Sequence, residues 1–261
     1  MRNNYFNTLI MAFLSGGFTL TLPANADPLT EGAYEAVIGL DSRYAVNPYA
    51  YPYNAVARIT YVGNENVCSG WLSNANTLVT AGHCVWDTRL KTFATIDKVY
   101  PGYDGNRNTP PNGTCNVKER YAHQEFIKSE NPAFDVGVIK LDCSNQNLQP
   151  LPYANLPEGI DFKGVSVTVS GYPGDKSSAE WQWAGQGKLL DYTPSLLSYD
   201  TDTNGGMSGS PIWLEAGDGK PPLVIGIHTT GYSSNGIGTK NEGVHLTESL
   251  MASIKAVEAQ P

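Results

Sequence analysis

The chain has 261 residues, of which 41% are hydrophobic and 16% charged, so it has enough apolar side chains for a sizeable core and is not a disordered polymer. Its formal net charge is −8 and no block of basic residues occurs, which argues against binding to nucleic acid. The 27 glycines and 17 prolines follow no period, which excludes collagen and predicts many short elements joined by turns.

The N-terminus has the pattern of a secretory signal peptide. Arg2 precedes an apolar run over residues 9–22, and a small-x-small Ala-Asn-Ala cleavage sequence follows at residues 24–26. The run is shorter than the about 20 apolar residues that span a bilayer, and no later segment is long enough. We expect residues 1–26 to be removed and the protein to be secreted or periplasmic, without a membrane partner. A buried N-terminal helix is the alternative.

Short runs rich in Val, Ile, Thr and Tyr follow along the chain, each bounded by Gly, Pro, Asn or Asp. They lie at residues 55–62, 77–80, 136–141, 165–172, 211–214 and 223–228. Only the C-terminal end has helical spacing, at Leu246, Leu250, Ile254 and Val257, with Thr247 as a candidate N-cap. Many strands and one terminal helix predict an all-β barrel or sandwich.

Four cysteines lie between residues 68 and 143. In an exported chain an even number of cysteines indicates disulfides, here two bridges with three alternative pairings. Zinc is the competing interpretation, but the sequence has no Cys-x-x-Cys pair and no His-Glu-x-x-His motif. We therefore expect disulfides, no metal site and no cofactor.

Three separate motifs carry the residue types of a serine hydrolase. His83 lies in Thr-Ala-Gly-His-Cys, Asp135 opens an apolar strand, and Ser208 lies in Gly-Gly-Met-Ser-Gly-Ser-Pro. A serine hydroxyl is a weak nucleophile until an imidazole takes its proton, and a carboxylate must orient that imidazole. Glycines before Ser208 allow a tight turn, so that the backbone N–H groups of Gly206 and Ser208 can form an oxyanion hole. Taken singly, each motif also fits a structural role.

At these residues the chain resembles the trypsin-like serine proteases, and within them the bacterial glutamyl endopeptidases of the V8-like and Bacillus types. Residues 202–211 (DTNGGMSGSP) are similar to the family segment D-T-x-G-G-x-S-G-S-P, and residues 226–231 (GIHTTG) to a second family segment. Residues 37–39 (VIG) are similar to the mature N-terminus of the Bacillus members. The order His, Asp, Ser is that of the chymotrypsin-type triad.

The resemblance implies an all-β fold of two packed six-stranded antiparallel β-barrels with a C-terminal α-helix. We expect a short propeptide over residues 27–35 and a protease domain over residues 36–258. Within the domain, we expect the first barrel over about residues 36–150, the second over about 151–245 and the helix over about 247–258.

The resemblance also implies roles for individual residues. His83 would be the general base, Asp135 would orient it, and Ser208 would be the nucleophile. Thr203 and His228 would line the pocket for the side chain before the cleaved bond.

The same resemblance implies a disulfide between Cys68 and Cys84, which leaves Cys115 and Cys143 as the second pair.

Glutamate suits such a pocket because an imidazole N–H and a threonine hydroxyl can both donate to its carboxylate. Asp202 lies where trypsin-like enzymes that prefer Lys or Arg carry their pocket carboxylate. We expect Asp202 to point away from the pocket and Thr203 into it; the opposite orientation of Asp202 would favour basic substrates.

Cleavage after Glu35 would expose Ala36, whose α-amino group, as in V8-like members, would help bind the substrate carboxylate.

The sequence therefore predicts a secreted, monomeric serine endopeptidase that cuts protein or peptide substrates after Glu, then Asp, through an acyl-enzyme intermediate. Two alternatives remain open. One is a trypsin-like protease of basic or broad specificity. The other is a catalytically inactive relative that serves as a binding module.

Overall fold

The computed structural model of this chain describes residues 35–145, 147–217 and 220–260. The predicted signal peptide and all but the last residue of the predicted propeptide lie outside the described residues. The described part of the chain consists mainly of β-strands, as predicted, and ends in an α-helix.

The strands of the N-terminal half are β1 (Tyr44–Ala45), β2 (Val56–Tyr61), β3 (Asn64–Asn74), β4 (Thr77–Thr80), β5 (Trp86–Asp87), β6 (Thr92–Phe93), β7 (Ile96–Pro101), β8 (Cys115–Ala122) and β9 (Gly137–Cys143). The strands of the C-terminal half are β10 (Ser166–Gly171), β11 (Trp183–Tyr192), β12 (Leu196–Tyr199), β13 (Pro211–Leu214), β14 (Leu223–Ser234) and β15 (Ile237–His245). The helices are α1 (Gln124–Ser129) and α2 (Glu248–Glu258), and 3-10 turns lie at Tyr53–Ala55, Gly82–Cys84, Pro132–Phe134 and Ser177–Ala179.

Six strands of the N-terminal half close into an antiparallel barrel in the order β2-β3-β4-β9-β8-β7. Its strands carry large apolar side chains toward the interior, where Ile59, Trp71, Leu78 and Ile139 are fully buried. Burial of about 25 cal/mol for each Å² of apolar surface is the main term that stabilises such an interior. The closed ring also leaves no unpaired strand edge.

Both disulfides belong to this first barrel. Cys68 of β3 is bonded to Cys84, and Cys115 of β8 is bonded to Cys143 of β9, its register partner across the sheet. The first bond is the one implied by the family resemblance, and the second joins the two cysteines that this pairing left over. The two bonds close loops with sequence separations of 16 and 28, which restricts the unfolded chain.

The second barrel has the order β11-β10-β13-β14-β15-β12 and closes because β12 also pairs with β11. Its interior is a separate apolar cluster that includes Val169, Leu197, Met207 and Ile225. The two six-stranded antiparallel barrels implied by the family resemblance are therefore confirmed.

The N-terminal segment belongs to the second barrel, which differs from the predicted start of the first barrel near residue 36. Strand β1 pairs with β11, with Tyr44 opposite Ala184. The reason lies just before β1, where the Asp202 carboxylate accepts hydrogen bonds from the backbone N–H groups of Ile38 and Ser42. These bonds fasten the segment to the second barrel.

Helix α2 forms where the sequence predicted it. The Thr247 side chain caps the helix by accepting from the N–H of Leu250 at 3.2 Å. The buried face of α2 packs on the first-barrel core, and the buried Lys140 of β9 donates to the Gln260 carbonyl oxygen at 2.7 Å just past the helix end. Within the described ranges, no helix combines the length and apolar character needed to cross a membrane.

Helix α1 was not predicted, because its six residues are too few to show an amphipathic repeat. The His123 side chain caps it by accepting from the N–H of Glu125.

Candidate active site

His83 and Asp135 are joined by two hydrogen bonds. The backbone N–H of His83 donates to Asp135 Oδ1 at 2.8 Å, and the ring Nδ1 lies 2.7 Å from Oδ2. A carboxylate only accepts, so we assign the ring proton to Nδ1, which leaves Nε2 as an acceptor. The carboxylate thereby fixes the tautomer and orientation that a general base requires.

Two short turns place these side chains. His83 lies in the 3-10 turn that follows β4, and Asp135 ends the 3-10 turn Pro132–Phe134 just before β9. Strands β4 and β9 are neighbours in the first barrel, which brings the two turns together. A Cβ on Gly82 would lie 2.9 Å from Asp135 Oδ1, so the glycine leaves room for the carboxylate.

Ser208 lies on the turn between β12 and β13, which is fastened to both barrels. Its carbonyl accepts from the N–H of Ser69 in β3 at 2.8 Å, and the N–H of Gly209 donates to the His228 carbonyl in β14 at 2.7 Å. Gly206 and Gly209 have φ values of +101° and +86°, which glycine adopts without strain. The glycine-rich motif therefore allows a turn at the junction of the two barrels.

The Glu35 side chain contacts Ser208. Its Oε1 accepts a hydrogen bond from Ser208 Oγ at 2.6 Å and lies 3.7 Å from Nε2 of His228. Burial raises the pKa of the Glu35 carboxyl, although hydrogen bonds from the hydroxyl and backbone N–H of Ser208 and the charge of His83 act in the opposite direction. Sequence analysis had identified Glu35 only as a cleavage position.

The pKa of His83 is raised above its ordinary value of 6.5. Burial disfavours the charged imidazolium, but the charge and hydrogen bond of Asp135, together with the charge of Glu35, outweigh burial. The surroundings of His83 therefore stabilise the imidazolium that a general base becomes when it takes a proton.

His228 is fully buried on β14, and Tyr199 of β12 holds its ring. The Tyr199 hydroxyl lies 2.6 Å from His228 Nδ1 and 3.3 Å from its other acceptor, the Glu242 carbonyl. We assign the hydroxyl proton to the nearer acceptor, which places the imidazole proton on Nε2, facing Glu35. Burial, with a contribution from the charge of His83, lowers the pKa of His228 to about 3, so the ring is a neutral donor.

Sequence analysis missed Tyr199. A tyrosine in a strand is ordinarily a packing residue, and only the pairing of β12 with β15, and of β15 with β14, brings its hydroxyl to the His228 ring. No local motif could have identified it.

Asp202 and Thr203 have different environments although they are neighbours. The Asp202 carboxylate accepts from the Ile38 N–H at 2.7 Å and from the Ser42 N–H and hydroxyl at 2.7 and 2.6 Å, so it is not free to attract a basic substrate side chain. Thr203 Oγ1 and His228 Nε2 are buried and have no hydrogen-bond partner among the described residues. A buried polar atom without a partner costs about 1–3 kcal/mol, so such atoms indicate a place for a ligand.

Part of the described site lines a cleft of about 1170 Å³, whereas Thr203 and His228 are buried beside it and do not belong to its lining. Its lining includes His83 and Ser208 and extends to Arg58 and Arg107, which share an ion pair with Glu180. The cleft is larger than one side chain needs and offers space to a stretch of polypeptide.

Comparison with known proteins agrees with this geometry. A family model described as a trypsin-like peptidase domain matches residues 68–227. A glutamyl endopeptidase of Bacillus licheniformis is 33% identical over 83% of this chain and 67% of its own length. An extracellular metalloprotease of Bacillus subtilis is 31% identical over 78% of this chain and 66% of its own length. The chain thus spans about two thirds of the length of these two relatives.

A solved structure, of a Glu endopeptidase in complex with MPD, superimposes with a TM-score of 0.75 and 32% identity. The match covers 86% of this chain and 100% of that chain.

Proposed function

The chain belongs to the family of trypsin-like peptidases, and from this premise we propose that it is a secreted serine endopeptidase that cuts proteins or peptides after glutamate. The observation that carries the specificity is the position of Glu35. The Glu35 carboxylate lies between the Ser208 hydroxyl and Nε2 of His228, and we infer that the carboxylate of a substrate glutamate would bind at the same place. The relatives named glutamyl endopeptidase support the same preference.

In the proposed mechanism Ser208 is the nucleophile and His83 the general base. Nδ1 of His83 is bonded to Asp135, so Nε2 is the nitrogen that takes the Ser208 proton as the hydroxyl attacks the scissile carbonyl. The imidazolium then donates this proton to the leaving amine. A water molecule then attacks the acyl-enzyme, with His83 again as the general base. This step releases the acid product and restores the Ser208 hydroxyl.

The oxyanion of each tetrahedral intermediate would be bound by the backbone N–H groups of Gly206 and Ser208. The backbone N–H of Ser208 lies near enough to the Glu35 carboxyl to act against the rise in the pKa of that carboxyl that burial causes. Loss of one such donor costs about 3–4 kcal/mol of transition-state stabilisation.

The pocket would bind the substrate carboxylate through uncharged hydrogen-bond donors. His228 offers Nε2–H from a ring whose pKa of about 3 keeps it neutral, and Thr203 offers a buried hydroxyl that no other described residue pairs with. Hydrogen bonds to a charged group contribute about 1.5–3 kcal/mol each, so one bond alone gives about 10- to 100-fold discrimination.

Export and maturation complete the proposal. Residues 1–26 would be the signal peptide and residues 27–35 the propeptide, and two disulfides fit an oxidising compartment. N-terminal sequencing of the active secreted protein should begin at Ala36. Fully active protein that begins at Asp27 would contradict the maturation step.

One cluster of metal-ligand residue types occurs among the described side chains. Their one group of three ligand-type residues with ligand atoms within 4.8 Å is Cys68, His83 and Cys84, and its two sulfurs form a disulfide. A disulfide offers no thiolate to a metal ion.

The specificity is tested with peptides that differ only in the residue before one cleavable bond. We expect kcat/KM for Glu to exceed that for Gln by about 10- to 100-fold, with Asp second. The same order should appear in a digest of casein analysed by mass spectrometry. Dominant cleavage after Lys would overturn the glutamate preference and favour the basic alternative.

The catalytic assignment is tested with a labelled fluorophosphonate. The label should attach to Ser208 in the mature protein, and Ser208→Ala should lower kcat by about a thousandfold or more. Absence of labelling in mature, folded protein would favour the inactive binding module instead.

A further inference from the structure

We propose that Glu35 is an internal inhibitor of the uncut chain: its carboxyl occupies the specificity pocket and holds the nucleophile until the chain is cleaved after residue 35. The proposal rests on the glutamate preference above, because a pocket that binds a substrate carboxylate also binds this one. It adds a role for the Glu35 side chain, beyond that of marking a cleavage position.

The first support is the direction of the Ser208 proton. A serine hydroxyl has one proton, and Ser208 Oγ donates it to Glu35 Oε1 at 2.6 Å. For catalysis the same proton must go to Nε2 of His83. While Glu35 accepts it, the base cannot activate the nucleophile.

The second support is that Glu35 is held in place through its neighbour. The N–H of Ala36 donates to Asn241 Oδ1 at 2.9 Å, and the Ala36 carbonyl accepts from Asn241 Nδ2 at 2.7 Å and from the Thr203 N–H at 3.1 Å. Asn241 is fully buried. Three hydrogen bonds on one residue fix the backbone from which the Glu35 side chain extends.

The strand that faces this backbone leaves room for it. A Cβ on Gly231 of β14 would lie 2.7 Å from the Glu35 Cα and would overlap the Ala36 nitrogen. The close approach of residues 35 and 36 to β14 is therefore open to glycine alone. The glycine therefore lets the backbone of residues 35 and 36 lie directly against β14.

Because Glu35 belongs to the same chain as the pocket it occupies, even a weak contact between them can inhibit substrate binding. A tethered group competes at a high effective concentration, so a substrate binds only to the fraction of molecules in which the pocket is open. If that fraction is one tenth or less, the apparent dissociation constant of a substrate rises tenfold or more.

Hydrolysis of the Glu35–Ala36 amide would remove the inhibitor. Water supplies the hydroxyl of the new Glu35 carboxyl group and a hydrogen to the new Ala36 amine. Ala36 keeps its bonds to Asn241 and Thr203, while Glu35 loses the covalent link that holds it and can leave the pocket.

The test measures binding of a peptide that has one Glu before its cleavable bond, by calorimetry, to uncut chains that carry His83→Ala. This background is inert in proteolysis, so the chain stays uncut, and it retains both Ser208 and Glu35. We compare it with the same chain carrying Glu35→Ala, or Glu35→Gln if the first does not fold. Glu158→Ala is the matched control, because Glu158 is an exposed carboxylate that does not line this cleft.

We expect Glu35→Ala to tighten binding of the Glu peptide at least tenfold and Glu158→Ala to leave it unchanged. Equal binding with and without Glu35 would overturn the internal inhibitor and leave the proposed specificity intact. Failure of the peptide to bind any folded variant, or equal binding of a Gln peptide, would overturn the glutamate pocket and the inhibitor together.

Discussion

The hydrogen-bond partner of each histidine decides what that histidine can do. Nδ1 of His83 is bonded to the Asp135 carboxylate, and its pKa is raised, so it can hold a proton in transit. Nδ1 of His228 is bonded to the Tyr199 hydroxyl, and burial lowers its pKa to about 3, so it stays neutral. Environments that separate the pKa values of two groups in one site assign them different roles.

At this scale we predict that Tyr199→Phe weakens the glutamate preference about tenfold. Without the hydroxyl, Nδ1 of His228 has no donor, and the tautomer with the proton on Nε2 is no longer favoured. The expected change is a higher KM for Glu peptides with little change in kcat, and no change for Gln peptides. Tyr192→Phe is the control, because its hydroxyl donates to the Ile160 carbonyl. An equal rise in KM for both peptides would indicate a structural role only.

We further predict that removal of the Glu35 charge lowers the pKa of His83, because that charge stabilises the imidazolium. Activity requires neutral His83, so kcat/KM rises as pH increases through this pKa, and a lower pKa moves the rise to lower pH. The measurement is NMR titration of the His83 ring in uncut Ser208→Ala protein with and without Glu35→Gln. Glu65→Gln should have no effect. A pKa that stays the same or increases in Glu35→Gln would contradict the prediction.

At the scale of elements, runs rich in Val, Ile, Thr and Tyr predicted strands that are buried along most of their length. Strands β4 and β13 match the predicted bounds, and β2, β9 and β10 match within two residues. Strands β8, β11 and β15 were missed because polar and charged side chains interrupt their apolar pattern. A strand in a closed barrel is stabilised by contacts with its neighbouring strands. The hydrophobic pattern of the strand's own residues does not show these contacts.

The turn that carries Ser208 allows a prediction at this scale. Gly209→Ala should destabilise the protein by about 3–5 kcal/mol, since a Cβ would strain a φ of +86° and overlap Thr80 Oγ1 and the Ser69 carbonyl. Gly236→Ala is the control, with a φ of +77° and no atom of the described residues within 4 Å of the added Cβ, and should cost about 1–2 kcal/mol. Urea unfolding measures both. Equal losses would show that backbone strain alone, without overlap, accounts for the effect.

At the scale of the whole molecule, the site depends on contacts between distant parts of the chain. The Ser208 carbonyl is bonded to β3 of the first barrel, and Glu35 reaches Ser208 across 173 positions. Motifs in the sequence were sufficient to identify His83, Asp135 and Ser208 as candidates, because each motif is local. The position of the Glu35 side chain follows from the folded chain alone, so no spacing or motif could predict it.

The same arrangement predicts how the proposed propeptide would be removed. The Glu35 side chain, not its peptide bond, faces Ser208, and residue 36 is clamped by Asn241 and Thr203. A molecule in this state does not present its own 35–36 bond to its nucleophile, so a second molecule must cut it. We expect the half-time of processing, followed by gel electrophoresis, to shorten in proportion to protein concentration. Added mature protein should remove the lag, whereas the same amount of mature Ser208→Ala should not. A half-time independent of concentration would show that the chain cuts itself.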